Sequence, residues 1–365
     1  MSYKYPVYQP NLSRNEKKYV LECLDSTWIS SKGKFIKQFE EDFSKFTGIR
    51  NSISVSNGTV ALHVALLALG IGKDDEVIVP TFTYVASVNA IHYTGAKPVF
   101  VDSDRDTWQI DPKKIKEKIT VKTKAIMAVH IYGHPCNMDE LLRIANQHKL
   151  FLIEDCAEAI GTYYDGKHAG SFGNISTFSF FGNKAITTGE GGMVCTKDDN
   201  LADLTFRIKG QGLAKNQEYF HDIVGYNYRM TNICAAIGCA QLERINEILV
   251  NKAGVAQNYI ENLQKLPIEY HREIGNVKHS YWMFTILVAS ENERNGLRNY
   301  LKENGIETRP TFHPVHTMPM YTTQETFKVA EDLGSRGINL PSYPDLIESD
   351  IRIISDRIKE FYGKH

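Results

Sequence analysis

The chain has 365 residues, of which 42 are basic and 43 acidic, giving a formal net charge of −1 at pH 7. This balance argues against a general nucleic-acid surface, which requires a marked basic excess, and the length allows about two domains with large cores. No apolar run reaches the roughly 18 residues of a membrane span, and the opening MSYKYPVYQPNLSRNEKKYV has no apolar core of signal-peptide length, so a soluble cytoplasmic protein is expected.

In chain order, SVSNGTVALHVALLALG reads as a strand ending near Val55, a turn at Ser56, Asn57 and Gly58, and a helix from about Thr59 to Leu69. The free N–H groups at such a helix start make a phosphate site. Next, EVIVP, PVFVD, AIMAVHIYG and LFLIEDCA alternate with helix-like stretches such as DELLRIANQHK. That alternation predicts a largely parallel sheet flanked by helices. In FLIEDCAEA an apolar run leads straight into Glu154, Asp155 and Glu158, which places carboxylates at the strand end where open α/β sheets bind ligands. Farther on, FSFFGNKAITTGEGGMV holds one lysine, Lys184, among aromatic, glycine and threonine residues. The stretch TNICAAIGCAQLERINEILVNKAGVAQNYIENLQK has few helix breakers and predicts long helices; YWMFTILVA then predicts a strand, and ERNGLRNYLKENG a helix ending at glycine. The division falls near residue 248, with a large domain over 13–248, a small α/β domain over 249–365, and residues 1–12 packing against the latter.

Two other patterns point to no special chemistry. Cys23, Cys136, Cys156, Cys195, Cys234 and Cys239 are scattered without a CxxC pair, so buried reduced thiols and no disulfides are expected. His130 with His134 and His313 with His316 have metal-like spacing, but prolines interrupt both pairs and no set of ligands accompanies them; loop roles and no metal are expected.

Taken alone, a loop lysine is more often a solvated ammonium than a nucleophile. Desolvation among aromatic groups lowers its proton affinity, however, and favours a Schiff base with an aldehyde. The lysine, a strand-end carboxylate able to pair with a cationic ring nitrogen, and a helix start suited to phosphate together describe pyridoxal 5′-phosphate, PLP. A nucleotide-cofactor oxidoreductase is disfavoured because VSNGTV lacks the GxGxxG spacing, and a cofactor-binding regulator because no DNA-reading motif is present.

The segments VSNGTVALHVALLALG, DEVIVPTFTYVASVNAI, HIYGHP, IEDCAEAIGT, FSFFGNKAITTGEGGMV and GYNYRMTNICAAIGCAQLE, in this order over most of residues 5–345, resemble the DegT/DnrJ/EryC1/StrS sugar aminotransferases. The resemblance implies the type I (aspartate aminotransferase-like) PLP fold, with a large mixed-sheet domain, a small C-terminal α/β domain and active sites at a homodimer interface, with dimers possibly pairing into tetramers. It implies that Lys184 binds the cofactor covalently and shuttles the proton, and that Asp155 pairs with the ring nitrogen. Gly58, Thr59 and Ser179 match phosphate ligands, Tyr84 the aromatic covering one ring face, and Glu158 the side chain near the ring hydroxyl. Asn227 matches a phosphate ligand reaching across from the other subunit. Lysine rather than histidine at position 184 implies transamination rather than dehydration. The implied donor is L-glutamate and the acceptor GDP-4-keto-6-deoxy-D-mannose, aminated at C4, with a UDP- or dTDP-linked keto sugar as the alternative. Arg309 and His313 are candidate substrate contacts, arginine being suited to phosphate or carboxylate.

Overall fold

The computed structural model describes residues 3–363. The apolar runs become β1 (Asn51–Val55), β2 (Glu76–Pro80), β3 (Lys97–Val101), β4 (Thr123–Val129) and β5 (Phe151–Asp155) and, after the short hairpin β6 (Tyr163–Tyr164) and β7 (Lys167–His168), β8 (Ile175–Ser179) and β9 (Gly192–Thr196). Apart from the hairpin they form one sheet in the order β1-β9-β8-β5-β4-β2-β3. Its β3, β2, β4, β5 and β8 are mutually parallel, whereas β9 runs antiparallel to both β8 and β1. Val129 pairs with Asp155 and Asp155 with Thr177, so β4, β5 and β8 end along one edge.

Helices cover the sheet as the crossover connections require. They are α1 (Glu16–Asp25), α2 (Lys34–Thr47), α3 (Gly58–Ala68), α4 (Val85–Tyr93), α5 (Met138–His148) and α6 (Asp199–Lys209). In α2, Phe35, Phe39 and Phe43 recur at helical spacing and are buried. The Phe43 ring lies 5.0 Å from Phe178 and 5.4 Å from Phe180, and so fixes α2 against β8 and the turn after it. Helix α3 is apolar almost all round, with Ala61, Leu62, Val64, Ala65 and Leu66 all buried, because other elements surround it.

The long helical stretch divides into α7 (Asn232–Leu242) and α8 (Ile245–Leu263). Beyond it come β10 (Glu269–Tyr270), β11 (Val277–Lys278), β12 (Phe284–Leu287), α9 (Glu291–Glu303), β13 (Arg309–Pro310), α10 (Lys328–Arg336), β14 (Gly337–Leu340) and α11 (Glu348–Gly363). A second sheet, β10-β12-β14-β13, is antiparallel throughout, while β11 pairs with β6. Tyr259, Phe284, Ile286, Leu297, Leu301, Ile354 and Ile358 form the core of this part. The amino-terminal segment joins it: Glu307 N–H donates to Tyr5 O at 2.9 Å, and Ser342 N–H to Val7 O at 3.1 Å. The six cysteines are free thiols, all buried except the half-buried Cys234. Among the described residues no helix is long and apolar enough to cross a membrane.

Candidate active site

A cleft of about 560 Å³ opens at the carboxyl edge of β4, β5 and β8 and extends to β13. At one end Asn57 caps α3, its Oδ1 accepting the Val60 N–H at 3.0 Å. A Cβ on Gly58 would lie 2.7 Å from Ser179 Cβ and 3.0 Å from its Oγ. Glycine therefore lets the helix start and the end of β8 close together, and Gly58, Thr59 and Ser179 all line the cleft. The unpaired N–H groups of a helix start and a serine hydroxyl make a suitable cradle for a phosphate.

Two carboxylates from β5 and the turn beyond it stand in the middle. Asp155 is 4% exposed; its Oδ1 accepts the Ala157 N–H at 3.0 Å and its Oδ2 the Ser87 hydroxyl at 2.8 Å. Glu158 is also buried; its Oε2 accepts the Tyr132 N–H at 2.7 Å and its Oε1 lies 3.8 Å from Lys184 Nζ. Burial raises the proton affinity of both carboxyls, against the pull of the donors and of Lys184. Burial also lowers that of Lys184, opposed by Glu158 and then Asp155. One amine facing two buried carboxylates leaves room for a second cation, and a protonated ring nitrogen beside Asp155 would supply it. The site residues thus fit PLP at its phosphate, its ring nitrogen and its aldehyde.

Lys184 lies between β8 and β9, its side chain only 12% exposed and its Nζ 4.0 Å from the centre of the Trp282 ring. Tyr8 donates its hydroxyl to the Lys184 carbonyl, and Trp282 Nε1–H donates to Asn183 O at 2.7 Å. Tyr84, 58% exposed, stands at the start of α4 with its ring 5.5 Å from Phe312. Arg309 on β13 lines the far wall with Phe312 and Asn339.

Lys184, Asp155, Glu158, Gly58, Thr59, Ser179, Tyr84 and Arg309 therefore meet in one cleft. His313 is exposed and does not line it. Neither does Asn227, whose Oδ1 accepts from Arg229 Nη2 at 3.1 Å. His130 and His134 lie, as expected, in the loop after β4, flanking its 3-10 turn, and both are buried there, at 0% and 1% exposure. His130 Nε2 pairs with Glu154 Oε2 at 3.1 Å, and Glu154 also accepts the N–H groups of Gly170, Phe172 and Gly173 at 2.6–2.8 Å. With Cys156 these two residues have ligand atoms within 4.8 Å of one another, but the hydrogen bonds make them a buried structural anchor. Sequence reasoning did not single out Ser87, Trp282, Phe312, Asn339 or Tyr8, although Ser87, one turn past Tyr84, stood inside a quoted motif.

Comparison with known proteins shows the family and the fold. The profile of the DegT/DnrJ/EryC1/StrS aminotransferase family matches residues 10–359. GDP-perosamine synthase of Escherichia coli O157:H7 is 58% identical over 359 residues, covering 98% of this chain and 98% of the relative. The enzyme of the same name from Vibrio cholerae is 50% identical over 363 residues, 98% and 99% of the two chains. Among solved structures, the PLP form of the Streptococcus pneumoniae sugar aminotransferase Spr1654 superposes with a TM-score of 0.94 at 27% identity, over 99% of each chain.

Proposed function

The chain belongs to the DegT/DnrJ/EryC1/StrS aminotransferase family, a PLP-dependent family, and from that premise we propose that it transfers the amino group of L-glutamate to C4 of GDP-4-keto-6-deoxy-D-mannose, giving GDP-perosamine and 2-oxoglutarate. The observation that carries this reading is the convergence of Lys184, Asp155 and the glycine-started helix α3 in one cleft, in a chain whose close relatives are GDP-perosamine synthases.

When bound, PLP supplies an aldehyde that exchanges amines and a protonated ring that accepts the electrons released at the substrate carbon. In this reading Lys184 provides the amine for covalent attachment. With the cofactor bound, its Nζ would carry the proton taken from or given to the substrate carbon. Its burial disfavours the charged form, against the pull of Glu158 and then Asp155. Asp155, fixed by Ser87 and Ala157, holds the proton on the ring nitrogen. Gly58, Thr59 and Ser179 hold the phosphate, Tyr84 covers one ring face, and Glu158 stands by the ring hydroxyl. Arg309 suits the diphosphate or the donor carboxylate, while His313, exposed and outside the cleft lining, remains a substrate contact only in the reading drawn from the resemblance. The nucleotide's binding energy orients the keto carbon toward Lys184.

The reading includes a homodimer with shared sites, possibly paired into tetramers. Asn227 lies outside its own chain's cleft, beside a segment where Tyr219 is 93% and Val224 86% exposed. Covering that apolar surface with a second copy would carry Asn227 toward the other cleft. The free thiols suit the reducing cytoplasm, and the product suits O-antigen precursor synthesis.

A UDP- or dTDP-linked keto sugar is the alternative acceptor. The test supplies L-glutamate with GDP-4-keto-6-deoxy-D-mannose or dTDP-4-keto-6-deoxyglucose and identifies products by mass and NMR. The GDP compound is expected to show the higher kcat/KM and a 4-amino product, and the free keto sugar to be used poorly. A higher kcat/KM for the dTDP compound overturns the GDP assignment.

A further inference from the structure

Trp282 precedes β12, in the antiparallel part of the molecule, yet its indole reaches the reactive amine. The ring is 5% exposed and held from several directions. Its Nε1–H donates to Asn183 O at 2.7 Å, its backbone N–H to Tyr132 O at 3.0 Å, and its carbonyl accepts from Lys252 Nζ at 3.1 Å. Lys252, itself buried, also donates to Ser342 O at 2.7 Å, and the Tyr132 ring lies nearly parallel to the indole at 6.0 Å. Held in this way, the indole keeps one face toward Lys184 Nζ, 4.0 Å from the ring centre. The nearest carboxylate oxygen, on Glu158, stands at 3.8 Å, beyond good hydrogen-bond length.

We propose that Trp282 is a positioning residue that holds the Lys184 amine in the cleft and stabilises its protonated form through the face of the indole ring. This deepens the aminotransferase reading and rests on it. The amine must be neutral to attack or to take a proton, and must then carry the proton it accepts. Desolvation alone favours the neutral state, and Glu158 and Asp155 oppose it. The indole face, 4.0 Å from Nζ, opposes it too without offering a competing base. A residue outside the large sheet thereby tunes the lysine within it.

The test measures how acetylation of Lys184 by a brief pulse of acetic anhydride depends on pH, in the cofactor-free full chain, by peptide mass spectrometry. Protein is produced with tryptophan or with mono-, di- and trifluorinated tryptophan, which weaken the negative ring face with little change of shape. Glu158 and Asp155 facing the amine, Tyr8 on the Lys184 carbonyl and Lys252 on the Trp282 carbonyl are unchanged across the series. Trp28 and Trp108 also take the label, but neither lines the cleft. The midpoint is expected to fall stepwise with fluorination, by about one pH unit, or tenfold in proton affinity, at the end of the series. Trp282→Met should lower it as well and Trp282→Phe should retain most of it, with melting curves confirming that both fold. A midpoint that stays fixed or rises with fluorination overturns the role of Trp282. Borohydride reduction of the holoenzyme separates the two readings. A cofactor linked to Lys184 with a fixed midpoint sinks only the inference, whereas linkage elsewhere sinks the lysine assignment beneath it.

Discussion

The Ser87 hydroxyl donates to Asp155 Oδ2 at 2.8 Å, so a side chain from α4 pins the carboxylate that β5 delivers to the cleft. The Ala157 N–H pins the other oxygen at 3.0 Å. The carboxylate is thus aimed, and burial makes its charge costly until a cation faces it.

Asp155→Asn should lower turnover by about a hundredfold or more, since the ring nitrogen loses the partner that keeps it protonated. Stability should move the other way. Burial raises the folded pKa of Asp155, so the folded chain binds that proton more tightly than the unfolded one, and the group's contribution declines as pH rises from the ordinary carboxylate range through the raised value. The cofactor-free Asn variant should therefore melt higher than wild type at pH 8, with the gap closing toward pH 4. Calorimetry across that range, paired with steady-state rates, checks both halves; wild-type turnover removes the assignment.

Lys184→Ala should keep some PLP noncovalently and lose about a thousandfold in turnover, because the nucleophile and the proton carrier vanish together. Borohydride should then fail to link the cofactor to the chain. Near-normal amino transfer by this variant would sink the proposed role.

Gly58→Ala would put a methyl group 2.7 Å from Ser179 Cβ, which forces the helix start and the strand end apart. Overpacking of this kind costs about 1–3 kcal/mol, and the cradle opens with it, so PLP affinity should drop at least tenfold. Adding Ser179→Gly should recover the melting temperature but not the affinity, because the hydroxyl is then missing. Equilibrium dialysis alongside melting curves separates the two; recovery of affinity in the double variant would show that Ser179 does not bind the phosphate.

Mixing Lys184→Ala with Asn227→Ala should restore activity above either parent after subunits exchange, since a heterodimer contains one cleft with both residues intact. Native mass spectrometry verifies the exchange. Verified heterodimers without a gain, or a fully active monomer, contradict shared sites.

Local chain chemistry made much of this legible. An apolar strand running into acids pointed to Glu154, Asp155 and Glu158, among which the family resemblance singled out Asp155, and aromatic and glycine residues pointed to Lys184, because both signals lie within a few residues of the group concerned. Trp282 carried no such signal. In YWMFTILVA it reads as one more apolar strand residue, and only the meeting of two sheets brings it to Lys184. His130 was opaque for the same reason, since its partner Glu154 lies on the neighbouring strand β5 and its burial depends on the turn that closes over both. The break between α7 and α8 at Glu243 and Arg244 contains neither glycine nor proline, so periodicity alone had nothing to mark it.

The docking of the amino-terminal segment sets an order of events during synthesis. Tyr5 and Val7 leave the ribosome long before their hydrogen-bonding partners Glu307 and Ser342, which lie far later in the chain. Tyr8, which braces the Lys184 carbonyl, must wait with them. A nascent chain can complete the large sheet, and even expose its lysine to free cofactor, long before that brace exists. A stretch translated late thus acts as a clasp for one made early, and the loop of Lys184 between them gains that support only after the later stretch emerges.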